Sequence, residues 1–310
     1  MRPASEGPGP RTVRTRVPGE GVRLAAFLEQ WLPEALGRPF SRGALRTLVM
    51  AGAVTVEGRP WRRPGAVLPR GAAVAARVDP SRLGPPAGER TVAQAFGADR
   101  FLYRDAFVLV VDKPAGLPMH ATADPSRPNL YDLVSALLRE EGGAPYLGLH
   151  QRLDRETSGA VLFTLDRAAN PGIATALATG DGVAKTYHAL CARPRVRLPR
   201  AFRDEGPLEP GGPVARTAFT VLRPLGAALL VEARPETGRK HQIRIQLAAR
   251  GAPILGDARY GGDTRAARRV MLHAHRLAFR HPSTGATVTA ESPYPPDFAA
   301  LLGSLAWSRG

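Results

Sequence analysis

Five short apolar runs constrain the fold of this 310-residue chain more than any other feature, because each has the length and composition of a buried β-strand. They read FVLVVD (107–112), AVLFTL (160–165), KTYHALC (185–191), TAFTVLR (217–223) and AALLVEA (227–233). A helix is predicted over 239–250, where Thr237 can cap the start and Gly251 and Pro253 can end it. Irregularly spaced strands with few helices favour an α+β fold with a largely antiparallel, mixed sheet over a doubly wound sheet.

A second pattern lies nearer the N-terminus. Apolar residues at helical spacing predict a helix with one buried face, carried by Leu24, Phe27, Leu28, Trp31 and Leu32. Gly37 and Pro39 end this helix, and Ser41 is a suitable N-cap for a second helix. Alternation over 53–56 and 74–78 then predicts two short strands, so this region has the makings of a small domain of its own.

These patterns divide the chain into four segments. We predict a basic disordered tail over 1–19, a small domain over 20–79, a linker over 80–95 and a larger domain over 96–305. The tail and the linker are assigned because they are rich in Pro and Gly and lack apolar periodicity.

The net charge of +16 favours a polyanionic partner, although a membrane surface or simple solubility would also account for it. The chain has one cysteine, Cys191, which excludes an internal disulfide and a cysteine-based metal cage. The N-terminus lacks the apolar core of a secretory signal, and no segment has the long uncharged run of a membrane span. We therefore expect a cytoplasmic protein.

Asp154 lies in the stretch LHQRLDRETSG, between Arg152 and Arg155 and just before a buried strand. A carboxylate on a loop at the entrance of a rigid element is a common arrangement in functional sites. The flanking arginines would favour its ionised form. Taken alone, an aspartate between arginines is more often a surface ion pair than a catalyst, so a catalytic role depends on the rest of the sequence.

Two further stretches carry side chains suited to binding an anion or a base. Lys240 and Arg244 are i, i+4 neighbours on the predicted helix, with His241 beside them, and can hold a phosphate or a carboxylate. A solvent-facing basic stripe is the alternative. In a strand Lys185 and Tyr187 point to the same face, where the tyrosine can stack on a base, accept a proton or pack in a core.

Taken together, five blocks of sequence resemble the RluA-type family of RNA pseudouridine synthases. The blocks are VVDKPAGLPMH (110–120), RLDRETSG (152–159), AKTYHAL (184–190), TGRKHQIRIQLAARGAPILGDARYG (237–261) and LHAHRLAFRHPSTG (272–285). They occur in the family's order and spacing and cover most of residues 100–290. One departure is visible: the family usually reads His-Arg-Leu-Asp, whereas here Gln151 precedes Arg152 and the histidine is one position earlier, at His150.

The resemblance implies roles for four residues. Asp154 matches the catalytic aspartate, Tyr187 the tyrosine that lies against the target base as proton acceptor, Arg244 the arginine that pairs with the carboxylate, and Arg152 the arginine implicated in base extrusion. The residue types suit the chemistry, because conversion of uridine to pseudouridine breaks the N1–C1′ bond and leaves C1′ electron-poor, as in glycoside cleavage. No metal or other cofactor is implied.

Residues 20–79 resemble the S4 RNA-binding fold through RLAAFLEQWL, SRGALRTLVMAGAVTVEGRP and RGAAVAARV. In that family the second helix and the following turn face RNA. The resemblance therefore implies RNA contact by Arg42, Arg46, Arg62 and Arg63, alongside Arg152, Lys240 and His241 in the larger domain. A solvated arginine face is the alternative for the small domain.

We therefore expect an enzyme that acts on structured RNA, foremost large-subunit ribosomal RNA, as a monomer without an obligate protein partner. A pseudouridine synthase for transfer RNA is the first alternative. A non-catalytic S4-type RNA-binding protein and a hydrolase that uses Asp154 with nearby histidines are the others.

Overall fold

The computed structural model describes residues 11–37, 40, 42–78, 92–121, 127–142 and 146–307. The chain divides into two compact units, one within Met1–Thr91 and His120–Asn129, the other within Val92–Met119 and Leu130–Gly310. Across the described residues, no helix combines the length and the apolar character that crossing a membrane requires.

The small unit contains a four-stranded antiparallel sheet and two helices. Its elements are β1 (Arg11–Arg16), α1 (Leu24–Leu36), α2 (Arg42–Met50), β2 (Val54–Val56), β3 (Arg59–Pro60) and β4 (Ala73–Val78), with strand order β1-β4-β2-β3. The predicted apolar face of α1 is confirmed, with Trp31 half-buried and the other four residues buried. Gly37 ends α1 in the left-handed conformation and donates its N–H to the Pro33 carbonyl. The predicted N-cap, Ser41, lies outside the described residues.

The N-terminal tail is the clearest departure from prediction. We expected disorder over 1–19, but β1 pairs with β4 from Arg11 opposite Val78 to Arg16 opposite Ala73. The physical reason is that a ladder on a sheet edge is made by backbone groups, so charged side chains can stay in water while the strand forms. Residues 1–10, and the predicted linker up to residue 91, lie outside the described residues.

The large unit is built on a ten-stranded sheet. Its strands are β5 (Phe101–Arg104), β6 (Val108–Lys113), β7 (Gly148–Leu149), β8 (Ser158–Thr164), β9 (Val183–Ala192), β10 (Ala201–Pro207), β11 (Val214–Leu225), β12 (Ala228–Pro235), β13 (Leu272–Arg280) and β14 (Thr287–Glu291). Its helices are α3 (Leu130–Glu140), α4 (Asn170–Thr179), α5 (Gln242–Ala249) and α6 (Pro296–Trp307). The main strand order is β10-β11-β12-β9-β13-β8-β6-β5, with β14 on β13 and β7 on β8.

The sheet confirms the predicted α+β fold. Its described strand pairs are antiparallel apart from β13 and β8, which run parallel. Strand β8 lies between β6 and β13 and is buried at every position, which suits its uninterrupted apolar sequence. The middle of the sheet is therefore a rigid support for the loop that precedes β8. Strand β9 also carries Cys191, whose thiol is buried with its pKa raised by desolvation.

Candidate active site

Asp154 lies on a tight loop that leads directly into β8. Leu153 and Thr157 are buried on either side of it, and the Thr157 N–H donates to the Asp154 carbonyl at 3.0 Å. The Asp154 side chain keeps 20% of its exposure, so the carboxylate is held by the protein yet open to a ligand. The loop thus places one carboxylate at the edge of the core, as the sequence predicted.

One buried lysine, Lys113, holds this loop in place through hydrogen bonds to its backbone. The Lys113 ammonium, which is fully buried, donates to the carbonyls of Pro114, Leu117 and Arg155 at 2.8–3.1 Å. The Arg155 carbonyl also accepts from the Gly116 N–H at 2.8 Å. Because these contacts use the residue next to Asp154, they limit the positions its backbone can adopt.

Gly159, the last residue of the Thr-Ser-Gly stretch, allows β8 to approach β13 closely. A Cβ at Gly159 would lie 2.2 Å from the Ala274 carbonyl oxygen, and its φ of +119° is unfavourable for other residues. The neighbouring Ser158 hydroxyl lies 3.0 Å from Nδ1 of the buried His273. The small residues after Asp154 are therefore explained by this strand contact.

Arg244 bridges Asp154 and a second carboxylate, Asp257. Its Nη1 donates to Asp154 Oδ2 at 2.9 Å, while Nε and Nη2 donate to the two oxygens of Asp257 at 2.7 and 2.8 Å. Asp257 is fully buried and Arg244 nearly so. The fork of Arg244 on Asp257 leaves its remaining nitrogen aimed at Asp154, which orients that carboxylate.

Arg244 keeps its charge in this setting. Burial alone would lower the pKa of its guanidinium, but hydrogen bonds and Coulomb attraction from Asp257 and Asp154 raise it overall. This permanent positive charge lies 2.9 Å from an Asp154 oxygen. The side chain of Tyr260 covers the guanidinium, with the ring centroid 5.2 Å from Cζ.

Helix α5 begins later than the sequence predicted, at Gln242 rather than 239. His241 adopts the left-handed conformation with a φ of 57°, which prevents the helix from extending towards Lys240. Thr237 does not cap the helix; its hydroxyl donates to the Gln242 side chain at 2.7 Å. The predicted helical pairing of Lys240 with Arg244 is therefore wrong, and Lys240 is exposed on the preceding turn.

His241 lies beside the carboxylate, with Nε2 3.6 Å from Asp154 Oδ1. Its Nδ1 is 2.9 Å from the Tyr260 hydroxyl. Desolvation lowers the pKa of His241 and outweighs the opposing attraction of Asp154, with the neighbouring cations adding to the decrease. The ring is thus mainly neutral at pH 7 and offers a polar contact rather than a second positive charge.

Tyr187 comes to the same site from β9, where it is opposite Ala233 of β12 and Ala274 of β13. It is half-buried and packs against the core clusters on both sides of this region. Desolvation and, secondarily, the charge of Asp154 raise the pKa of its phenol. The phenol is therefore protonated at neutral pH in the free protein.

The arginines that flank Asp154 in sequence do not pair with it. Arg152 is exposed, and Arg155 pairs with Glu156 at 2.8 Å. The cation bonded to Asp154 is instead Arg244 of α5, the partner that the family resemblance implies. The two flanking arginines do not reach the carboxylate because neighbouring side chains on an extended loop point in different directions, whereas Arg244 points inward from α5.

Sequence reasoning missed Asp257. The available signal for Asp257 was the run GDARYGG after α5, since two of its glycines permit close backbone contact. A Cβ at Gly256 or Gly262 would come within 2.0 Å of a backbone oxygen, at 1.8 and 1.9 Å. A turn this tight around one aspartate indicates that its position is fixed.

The displaced histidine of the RLD block has a structural role. His150 Nε2 lies 3.0 Å from both the Thr164 hydroxyl and the Asn170 side-chain oxygen. Gln151 is half-buried in the same loop. The change at this position thus leaves Asp154 bonded to Arg244.

The arginines predicted to bind RNA in the small unit are only partly described. Arg46, Arg62 and Arg63 are exposed, and Arg42 begins α2, although its side chain lies outside the described atoms. The Arg62 guanidinium lies against the turn after α2, with Nε 3.3 Å from a Cβ built at Gly52. These positions are compatible with a basic surface near the end of α2.

The site brings together a carboxylate bound to arginine, a neighbouring histidine and a tyrosine on the mixed sheet. The family described as RNA pseudouridylate synthase matches residues 107–249. The human protein RNA pseudouridylate synthase domain containing 4 has a similar solved structure, with a TM-score of 0.58 and 25% identity over 70% of this chain and 97% of that one.

Similar proteins of known family place the chain within one family of these enzymes. Ribosomal large subunit pseudouridine synthase D of Xanthomonas campestris pv. campestris is 31% identical over 92% of this chain and 89% of its own length. The protein of the same name from Neisseria meningitidis serogroup A is 32% identical over 94% and 80%. The chain belongs to the RluA-type family of RNA pseudouridine synthases, which isomerise uridine within RNA.

Proposed function

We propose that Asp154 is the catalytic carboxylate and that its target is a uridine in large-subunit ribosomal RNA. The observation that carries the proposal is the Asp257–Arg244–Asp154 network, in which a buried, permanently charged guanidinium orients one accessible carboxylate. The names of the relatives from Xanthomonas and Neisseria support ribosomal RNA as the target. A transfer RNA target is the alternative that the experiments below separate.

The chemistry requires an ionised oxygen beside the sugar. Cleavage of the N1–C1′ bond leaves C1′ electron-poor, and the carboxylate either attacks that centre or removes a proton from the sugar. The uracil stays in the site and rejoins through C5, so a second carboxylate acting as general acid is not needed. Asp257 cannot take that part, because it is fully buried and both its oxygens are bonded to Arg244.

Tyr187 is proposed to lie against the target base. Tyr187 lies on β9, which pairs with β12 and β13, and the charge of Asp154 contributes to the raised pKa of its phenol. A protonated phenol can stack on uracil and donate a hydrogen bond to it. Acceptance of the C5 proton would require Tyr187 first to lose its own, which the raised pKa opposes.

The exposed cations around Asp154 are proposed to hold the RNA. These cations are Arg152 and Lys240, which are both exposed, while His241 adds a neutral polar contact beside the carboxylate. Extrusion of a stacked base costs a few kcal/mol, which contacts with phosphate offset. Because Asp154, Tyr187, Arg244 and Asp257 belong to one chain, we propose that a monomer is active, in the cytoplasm where it would meet ribosomal RNA.

The small unit is proposed to be an S4-like RNA-binding domain spanning 20–79. Its two helices against an antiparallel sheet and the exposed Arg46, Arg62 and Arg63 support this role, and Arg42 lies at the start of the same helix α2. Replacing these arginines should weaken RNA binding and reduce its salt dependence, while turnover of a short stem-loop is retained. An unchanged salt slope would remove the small unit from the RNA interface.

The test of the catalytic proposal is Asp154→Asn, assayed by tritium release from RNA labelled at uridine C5. We expect no release above background, with RNA affinity and the thermal unfolding midpoint close to wild type. Asp181→Asn is the matched control, since Asp181 is exposed after α4. Ribosomal and transfer RNA are assayed in parallel, so that release from transfer RNA alone would overturn the proposed target.

Two outcomes would contradict the assignment of Asp154. Normal tritium release by Asp154→Asn would show that another group acts on the nucleoside. Loss of RNA binding together with turnover would make Asp154 a contact for the substrate rather than the reacting group.

A further inference from the structure

A second basic surface lies in the large unit, on the segment that joins β9 to β10. Residues 193–200 read RPRVRLPR and form neither helix nor strand. The backbone N–H of Arg193 donates to the Ala227 carbonyl at 2.8 Å, and the Arg200 carbonyl accepts from Val221 at 2.8 Å. With Pro194 and Pro199 restricting φ, the segment is held at both ends in one path rather than left as a free loop.

This segment forms one wall of a groove of about 560 Å³, here named the arginine groove. Its lining includes four arginines and an apolar floor, namely Arg193, Arg195, Arg197, Arg200, Leu198 and Val221. Leu198 and Val221 pack against the main core, which makes the floor rigid. The volume is within the range of about 300–1,000 Å³ typical of ligand sites.

The charges in the groove are unopposed, unlike those on the neighbouring strands. Arg203, Arg216, Arg234 and Arg250 each have a carboxylate within 4.0 Å. Within the described part of the chain, none of the four groove arginines has such a partner, and all four are exposed. A cluster of cations without internal counterions attracts a polyanion from solution.

Helix α5 connects the active site to the near end of the groove. It carries Arg244 in its first turn, and Gly251, just past its end, lies against Pro194 of the groove lining, with 3.6 Å from a built Cβ to the proline. At 1.5 Å per residue the backbone from Arg244 to Gly251 spans about 10 Å, and the groove arginines lie beyond this point along the chain. RNA must therefore extend several nucleotides from the target uridine to reach them.

We propose that the arginine groove binds the phosphodiester backbone of the substrate RNA a few nucleotides from the target uridine, a proposal that rests on the proposed function. The planar guanidinium groups suit phosphate oxygens, and the apolar floor offers no donors or acceptors with which to read a base. The contact is therefore independent of sequence and contributes affinity rather than choice of base.

The test is the triple variant Arg195→Gln/Arg197→Gln/Arg200→Gln, which spares Arg193 because its Nη1 donates to the Gly226 carbonyl at 3.2 Å. On RNA with long flanks we expect weaker binding. The slope of the logarithm of the binding constant against the logarithm of the salt concentration should decrease in magnitude by about 2, because each of three lost phosphate contacts contributes about 0.7. On a minimal stem-loop without flanks, tritium release should equal wild type.

The control triple variant changes arginines that already have carboxylate partners, Arg104, Arg203 and Arg276, and so removes the same net charge elsewhere. Its salt slope should change by less than about 1. An equal loss of RNA affinity in both variants, or an unchanged salt slope in the groove variant, would overturn the proposal. An acidic peptide is tested as a second ligand, and a groove variant that loses affinity for the peptide but not for RNA would also overturn it. If wild type releases no tritium from any RNA, the proposed function fails, while the binding data still judge the groove.

Discussion

Arg244 and Lys113 are both buried cations that contact the Asp154 loop, yet their surroundings differ in one decisive respect. Arg244 is bonded to two carboxylates, whereas Lys113 is bonded to three backbone carbonyls. The pKa of Arg244 is raised, and burial lowers the pKa of Lys113 to about 7. Neutral dipoles satisfy hydrogen bonds but do not repay the loss of water around a charge, whereas carboxylates do.

The comparison also separates two tasks. Arg244 holds the reacting carboxylate directly, so its charge matters for chemistry. Lys113 holds the backbone next to that carboxylate, a task that a neutral amine performs in part, because it keeps two of the three N–H donors. We therefore expect the two residues to respond differently to substitution and to pH.

Arg244→Met should have the largest effect. It leaves Asp257 buried without its bidentate partner and frees Asp154, so we expect a loss of about 3–5 kcal/mol in the free energy of unfolding. Turnover should fall by about 10²–10³-fold or more in whatever fraction remains folded. Denaturant unfolding and tritium release measure the two effects, and a stable, active variant would refute the central role of this network.

Arg244→Lys should be the next largest. A lysine keeps a positive charge but cannot donate to Asp257 with two nitrogens and to Asp154 with a third in the same plane. We expect stability between that of wild type and Arg244→Met, with turnover reduced more than RNA affinity. Wild-type turnover would indicate that charge alone, without geometry, is sufficient.

Lys113→Met should be intermediate. It keeps the length of the side chain and removes the donor to three carbonyls, at a cost of about 1–3 kcal/mol in the free energy of unfolding. Lys240→Met is the matched control, since Lys240 is exposed and its loss should cost less than about 0.5 kcal/mol. Equal stability of the two variants would show that the carbonyls around Lys113 find other donors.

The pH dependence of stability should also report on Lys113. Its folded-state pKa of about 7 is below the value near 10.4 expected in the unfolded chain, so between these values the unfolded state binds more protons. Because of this difference in proton binding, the contribution of Lys113 makes the free energy of unfolding rise from pH 7 to pH 9, and it is constant below pH 7. Unfolding curves at pH 7, 8 and 9 should show a smaller slope for Lys113→Met; the same slope in both proteins would contradict the assignment.

Glu156→Gln should give the smallest effect. The Glu156 carboxylate opposes the decrease caused by burial, so its removal should lower the pKa of Lys113 further. The chain contains three lysines, which makes an NMR titration of labelled lysine side chains tractable. A pKa that rises in this variant would reverse the sign of the proposed interaction.

The fold was largely predictable because its main signals are local. Strands β6, β8, β9, β11 and β12 each overlap a predicted apolar run, and the buried face of α1 was read from spacing alone. The prediction of a disordered tail was wrong because a strand at a sheet edge is held by backbone hydrogen bonds, whereas sequence patterns report on side chains. The predicted start of α5 was wrong because one residue, His241, adopts a left-handed conformation.

The site was less predictable because its contacts are distant in sequence. Arg244 meets Asp154 across 90 residues, and this pair was expected only through the family resemblance. Asp257 was missed because the glycines beside it indicate a tight turn but do not show that its carboxylate is buried.

The burial of the only thiol has a practical consequence. Cys191 is fully enclosed and its pKa is raised, so reagents that attack thiolates should spare it. A cysteine introduced at an exposed position such as Arg197 would then be the single attachment point for a fluorophore or a photocrosslinker. The native chain is in this sense ready for mapping where bound RNA passes over its surface.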